Sequence, residues 1–420
     1  MNNAFLKSFY TLQTIYEEKA FSSITLNKTL LSCKQQDRAL VTKIVYGVLD
    51  NDIKLSYVLS KYVKKMPKKE ALIILKMGIY VLMELSLPVY AVVNDFAELA
   101  KITEDVRVVG FVNATLKNVS KTVKQFDDYP KDELERISVQ YSYPDWAVKK
   151  LVKDYGKNTM LQIVSYKSDN SAIVRLKNGG IEQAKQKFGE VEPTCFPDAF
   201  AVRGKGVLSD ETFTVQSLSS MAISRAVAAC AKANVLDCCS APGGKAIYVK
   251  QLRPEVNVVA CDVHPHRVEL INAYAKRMAT QVETHCADMT VFIPEWEKKF
   301  DTVLCDVPCS GFGVLDNRPD IKLFRENKDI SDLMKLQYAI LCNCSNYVQP
   351  GGDLIYSTCT VFDNENGQNV RKFLKEHSDF SLGTINIEQL PQTANKSCYQ
   401  FLPHKDGMQG FFLAVLERKG

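Results

Sequence analysis

No stretch of this 420-residue chain is long and apolar enough to cross a bilayer. Its most apolar window, residues 71–93, carries Lys76, Glu84 and Pro88, which a spanning helix would not welcome. The first residues, MNNAFLKSFYTLQTIYEE, lack the basic segment and following apolar stretch of a secretory leader, so a cytoplasmic protein with no membrane partner is expected. There is no CxxC pair and no Cys/His spacing of the zinc-finger kind, and the thirteen cysteines are an odd number. A disulfide framework is thereby excluded, and no metal is expected. The five histidines show no ligand spacing either. Charge of one sign is not in excess, with 53 Lys and Arg against 48 Asp and Glu. The surplus lies in the first 150 residues, which hold 22 basic and 17 acidic side chains; the remainder balances at 31 of each. A mild bias at one end suits a polyanionic partner without requiring one.

What is present is ordinary globular material, 46% hydrophobic and 24% charged, enough for two or three domains. Residues 1–125 read as helical. Leu40, Val41, Ile44, Val45, Val48 and Leu49 form one apolar stripe, and similar patterns run over 69–85, 89–102 and 110–122, with breaks at Pro67 and Pro88. A charge-rich linker near 124–135 follows. Residues 126–215 then suggest a linker and a small α+β module, with a helix over 146–155, a strand over 172–176 and extended pieces broken at Gly204, Gly206 and Asp210. From 216 to 420 strands and helices alternate, with strands expected at 234–238, 256–263, 282–287, 300–307 and 353–360. That rhythm specifies a doubly wound parallel sheet, the α/β Rossmann-like architecture. A last apolar strand over 410–418 is expected to pair antiparallel at an edge. No internal repeats are visible.

In such a sheet, ligands bind beyond the carboxyl ends of the strands. The first strand leads into Cys239-Ser240-Ala241-Pro242-Gly243-Gly244-Lys245. A phosphate-binding loop would need a leading glycine and a trailing Ser or Thr, but Cys239 and Ala246 occupy those places. The dinucleotide fingerprint GxGxxG is absent too. Instead, Asp237, Asp262, Asp288 and Asp306 fall at four successive strand ends. Together they outline an adenosine-type ligand with a polar or cationic tail, such as S-adenosylmethionine, with Asp262 placed to hold ribose hydroxyls. Two cysteines stand apart from the rest. Cys309, in DVPCSG, and Cys359, in STCT, both follow strand ends and are flanked by small polar residues that leave a thiol accessible. A free thiol is only a few per cent ionised at neutral pH, and Lys245 or a helix N-terminus nearby could raise that fraction.

DCCSAPGGK, DVPCSG and STCT, in this order, resemble the Sun/RsmB and NSUN superfamily of RNA (cytosine-5) methyltransferases. The segment from Val314 to Lys322 resembles the family's Arg-x-Pro-Asp-type stretch, and ALVTKIVYGVLDND with FVNATLKNVSK resembles the NusB-like RNA-binding domain of the ribosomal RNA branch. Departures are small: Ser240, Ala246 and Val307 stand where the family commonly has Ala, Thr and Ala. The resemblance implies a multidomain protein, a NusB-like bundle ahead of a methyltransferase domain, that methylates a cytosine of small-subunit ribosomal RNA. It implies Cys359 as the thiol that adds to carbon 6 of the base and Cys309 as the group that assists release. Asp306 would hydrogen-bond ring nitrogen 3, and Lys245 would join it at the catalytic centre. Residues 239–245 would wrap the methionine part of S-adenosylmethionine, with Asp262 on the ribose and Asp288 by the adenine. The base must be unpaired or flipped out. Lys61, Lys64, Lys65, Lys68 and Lys69 are the candidate phosphate contacts of a monomeric enzyme. A transfer RNA methyltransferase and a non-catalytic NusB-like RNA-binding factor are the competing readings.

Overall fold

Residues 3–67, 69–103, 106–168, 171–203 and 209–420 are described by the computed structural model; Lys68, Gly204 and Gly206 lie outside them. The chain forms two units, Met1–Ser165 with Leu315–Arg325, and Tyr166–Val314 with Glu326–Gly420.

The first unit is helical: α1 (Asn3–Glu18), α2 (Ser22–Leu31), α3 (Gln35–Asp50), α4 (Asp52–Ser60), α5 (Lys69–Glu84), α6 (Val89–Thr103), α7 (Val106–Val119), α8 (Glu133–Tyr141) and α9 (Asp145–Ser165). The stripe on α3 is buried as its spacing predicts, through Val41, Ile44, Val45, Val48 and Leu49. Helix α5 is buried on nearly every side, from Ile73 to Leu82, which is why its window is so apolar. Its one interior cation, Lys76, meets Asp52 at 2.6 Å, and the Tyr16 hydroxyl donates to the same carboxylate oxygen at 2.5 Å. Among the described residues no helix is long and apolar enough to cross a membrane. Asp132 caps α8 by accepting from the Glu135 N–H at 2.9 Å, and Gly156, at φ 76°, breaks α9 into two segments.

The second unit opens with a small antiparallel sheet of β1 (Ala172–Leu176), β2 (Val191–Pro193), β3 (Ala199–Val202) and β4 (Phe213–Val215), in the order β2-β3-β1-β4. Helix α10 (Ile181–Phe188) packs on it, with Ala184 against Val174, Leu176, Phe200 and Phe213. The larger sheet follows: α11 (Leu218–Cys230), β5 (Asn234–Asp237), α12 (Gly244–Leu252), β6 (Asn257–Asp262), α13 (Pro265–Arg277), β7 (Glu283–Cys286) and β8 (Phe300–Asp306). Beyond α14 (Ile321–Phe324), which belongs to the first unit, come α15 (Asn327–Ser345), β9 (Val348–Thr358), α16 (Gly367–Glu376), β10 (Phe380–Leu382), β11 (Cys398–Gln400), α17 (Pro403–Asp406) and β12 (Phe412–Arg418).

The sheet order is β10-β12-β9-β8-β5-β6-β7, with β11 also paired to β12. Strands β9, β8, β5, β6 and β7 run parallel. Both faces are covered: Leu304, Ile355, Leu413 and Val415 enter one core, while Val303, Cys305, Leu354, Tyr356, Ala414 and Leu416 enter the other. The terminal strand is antiparallel to β9, as expected, but it is not at the edge. Strands β10 and β11 pair along its outer side, so β12 lies within the sheet. From β5 the chain steps outward to β6 and β7, then returns to β8 and steps the other way to β9. The topological switch point therefore lies between β5 and β8, and the crevice beyond their carboxyl ends is the expected ligand site.

Candidate active site

Asp237 ends β5, 1% exposed, and among the described residues neither of its carboxylate oxygens has a partner in good hydrogen-bond geometry. Burial, followed by the charge of Asp306, pushes its pKa up to about 7. The Ser240 hydroxyl is likewise buried without such a partner among the described residues. The loop between them is fixed by its backbone: Ser240 N–H donates to the Cys261 carbonyl and Gly243 N–H to the Ser240 carbonyl, each at 2.7 Å. Gly243 has φ 101°, and a Cβ there would press on Ile271 and Ile247 at 3.1–3.2 Å, so glycine answers both a conformational and a packing demand. Gly244 and Lys245 then begin α12.

Lys245 reaches across to β8 and pairs with Asp306 at 2.6 Å. Burial alone would lower the lysine pKa, but the Asp306 charge and hydrogen bond outweigh it and hold the ammonium charged. The other Asp306 oxygen accepts from the Ser357 hydroxyl at 2.6 Å, which links the ends of β8 and β9. At the end of β6, Asp262 is buried, 3.3 Å from the Arg267 guanidinium, and accepts from the His264 N–H. Asp288 is exposed, two residues beyond β7. It accepts from the Thr290 N–H and hydroxyl, and these bonds lower its pKa.

Beyond β8 and β9 the two singled-out cysteines converge, with Cys309 Sγ 3.2 Å from Cys359 Sγ. The Cys359 N–H also donates to Cys309 Sγ at 3.3 Å. That sulfur contact, and burial after it, push the Cys309 thiol pKa up. Gly313 N–H donates to the Cys359 carbonyl at 2.9 Å, in a place where a Cβ would collide with Gly410. The structure thus brings Asp237, Ser240, Lys245, Asp306, Cys309 and Cys359 to the strand ends at the switch point, with Asp262 at the neighbouring end and Asp288 farther out.

Sequence reading missed two features. Cys238, Cys305 and Cys344 place their sulfurs within 4.8 Å of one another in the core, although 106 residues of chain separate the first from the last. Glu365 is fully buried beside the cysteine loops. In the basic run of the helical unit, Lys61 pairs with Asp128 at 3.0 Å, and Lys64, Lys65 and Lys69 are exposed.

Residues 226–417 match the family described as 16S rRNA methyltransferase RsmB/F, and residues 4–121 match the NusB family. A probable ribosomal RNA small subunit methyltransferase B of Bacillus subtilis is 30% identical, covering 96% of each chain. The ribosomal RNA small subunit methyltransferase B of Shewanella oneidensis is 26% identical over 91% of each. Among solved structures, that of PH0851 superposes with a TM-score of 0.82 at 20% identity, covering 100% of this chain and 99% of that one. NSun6 from Pyrococcus horikoshii with SFG gives a TM-score of 0.58 at 18% identity, over 67% of this chain and 99% of that one. These two likenesses are of fold.

Proposed function

The chain belongs to the RsmB/F family of 16S rRNA methyltransferases, with a NusB-family domain ahead of the methyltransferase domain, and from that premise we propose that it methylates carbon 5 of a cytosine in small-subunit ribosomal RNA through a covalent cysteine adduct. The observation that carries this reading is the pair of sulfurs 3.2 Å apart, at adjoining strand ends beside the Lys245–Asp306 ion pair.

The donor is S-adenosylmethionine, and the crevice suits it. Asp237 and Ser240 offer buried polar atoms that lack well-placed partners among the described residues, and Gly243 lets the backbone approach closely. The backbone of 239–245 holds the amino-acid end, Asp262 the ribose and Asp288 the adenine. When bound, the donor supplies an electrophilic methyl group.

Carbon 5 of cytosine is too weakly nucleophilic to accept a methyl group unaided. The Cys359 thiolate supplies the missing electron density by bonding to carbon 6, which makes the ring an enamine. Lys245, paired with Asp306, holds that carboxylate at the catalytic centre. Ring nitrogen 3 takes up the proton that the Cys359 thiol gives up and returns it when that thiol is freed; meanwhile Asp306 accepts from this N–H, since each of its oxygens keeps a spare lone pair. After methylation the carbon 5 proton passes to a base and its electron pair restores the ring double bond. The carbon–sulfur bond breaks, with its pair returning to Cys359. Cys309, at the sulfur of Cys359, is the candidate for that base and, by taking the proton, assists this release. Flipping the base out costs a few kcal/mol, offset by contacts of flanking RNA with the basic run Lys61, Lys64, Lys65, Lys68 and Lys69 and with the small sheet at 172–215.

Labelled methyl transfer to unmodified small-subunit ribosomal RNA tests the proposal. Wild type should form 5-methylcytosine, Cys359→Ala none, and Cys309→Ala a protein–RNA adduct that persists in denaturant. An active Cys359→Ala variant would overturn the nucleophile assignment, and labelling of transfer RNA alone would overturn the substrate.

A further inference from the structure

Glu365 is 0% exposed, and it lies in the turn between β9 and α16 rather than on a strand end. A carboxylate is not buried without cause, because removal from water costs several kcal/mol unless hydrogen bonds replace the lost solvation. Here they do. The Ser310 N–H donates to Oε1 at 2.8 Å and the Ser310 hydroxyl to Oε2 at 2.5 Å. The Gln337 amide donates to Oε1 at 2.9 Å and also to the Pro308 carbonyl at 3.0 Å. Cys309 is therefore anchored through both of its chain neighbours, Pro308 and Ser310, to one buried acid.

The same network reaches the other cysteine. Because the Ser310 hydroxyl spends its proton on Glu365, it accepts from the Thr360 hydroxyl 2.7 Å away, and Thr360 directly follows Cys359. The neighbouring Asn366 accepts from the Thr358 hydroxyl at 2.6 Å and donates to the Thr360 carbonyl at 3.0 Å, holding Cys359 from both sides. These groups join two loops about fifty residues apart in sequence, and the sulfurs at their tips are the pair at 3.2 Å.

We propose that Glu365 is a positioning residue: its buried carboxylate clamps the two cysteine loops together, so that Cys309 stays at the sulfur of Cys359 throughout the adduct's life. The inference rests on the cysteine roles proposed above. It makes Glu365 act through geometry, without contact to the base. Displacement of a catalytic group by about 1 Å can cost on the order of 100-fold in rate.

The experiment compares Glu365→Ala, Glu365→Gln and Ser310→Ala with Cys309→Ala and Cys359→Ala. It measures single-turnover methylation, adduct yield in denaturant, and the rise in melting temperature with S-adenosylhomocysteine. Gln can keep the network with the direction of one hydrogen bond reversed, so Glu365→Gln should stay within a few-fold of wild type. Glu365→Ala and Ser310→Ala should lose roughly 10- to 100-fold in turnover and accumulate adduct although Cys309 is present, with the ligand-induced shift unchanged. Wild-type turnover in Ser310→Ala, or a Glu365→Gln as impaired as Glu365→Ala, would overturn the clamp. Should Glu365→Ala fail to fold, Ser310→Ala decides alone. The cysteine variants separate the two claims: activity in Cys359→Ala defeats the underlying mechanism, whereas normal behaviour of both cysteine controls with unaffected Ser310→Ala defeats only the clamp.

Discussion

A carboxylate that is buried and short of well-formed hydrogen bonds among the described residues, as in Asp237, prefers to hold a proton. Its pKa of about 7 lies above the ordinary 3.8, because of burial first and the charge on Asp306 second. The unfolded chain gives up this proton near 3.8 and the folded chain near 7. Between those values the folded state binds more protons, so stability falls as pH rises through the window, by a few kcal/mol at most. In the absence of the methyl donor, the melting temperature of wild type should decline from about pH 4 to about pH 7 relative to Asp237→Asn, which cannot ionise there. Parallel curves for the two proteins would show that Asp237 is solvated or paired in solution. Asp237, Asp262 and Asp306 were legible in the sequence because a strand end can be read from a local apolar run and its stop. Glu365 and the trio Cys238, Cys305 and Cys344 were not. Their neighbours come from separate strands and helices, and no short spacing records such a meeting.

Among the elements, β5 to β8 were read to within a residue of their limits, whereas β9, expected from 353, begins at Val348, and the position of β12 was missed. A charge-poor run, Phe412 to Leu416, is buried on both faces, the mark of a strand inside a sheet rather than at its edge. The outer neighbours β10 and β11 are only three residues each, too short to announce themselves by alternation. Helix α5 poses the opposite problem, an apolar element carrying a lysine. The reason is local: Lys76 and Asp52 are both largely buried and paired at 2.6 Å, and Tyr16 binds the same oxygen of Asp52. Taking one partner away leaves an uncompensated charge in the core, at a cost of about 3 kcal/mol or more. Asp52→Ala should therefore lower stability by that order in denaturant titration, and adding Lys76→Met should recover part of the loss. A double variant no better than Asp52→Ala would mean that Lys76 is solvated once its partner is gone.

At the scale of the whole chain, the first unit is discontinuous: residues 315–325 leave the methyltransferase sequence and complete the helical core. Leu323 and Phe324 pack on that core, Lys322 is buried and meets Asp50 at 2.5 Å, and Asp320 accepts from the Ser22 hydroxyl. The segment includes Arg318, Pro319 and Asp320 of the stretch noted in the sequence by its resemblance. Its destination was unreadable because Ser22 and Asp320 are 298 residues apart. A fragment of residues 1–165 keeps every helix of the bundle except α14 but exposes the surface that this segment covers. Fully burying one Leu or Phe side chain contributes ~1.5–3 kcal/mol, and Leu323 and Phe324 are each half-buried, so losing the two removes about 1.5–3 kcal/mol before the polar contacts are counted. The fragment should stay helical by circular dichroism at low temperature and melt well below the helical unit of the intact chain. A synthetic peptide of residues 315–325 should raise its melting temperature in proportion to the logarithm of peptide concentration once binding saturates. A peptide carrying Ala in place of Leu323 and Phe324 should not. A fragment as stable as the intact chain, or one raised equally by both peptides, would show that the segment is a passenger on the bundle rather than part of its core.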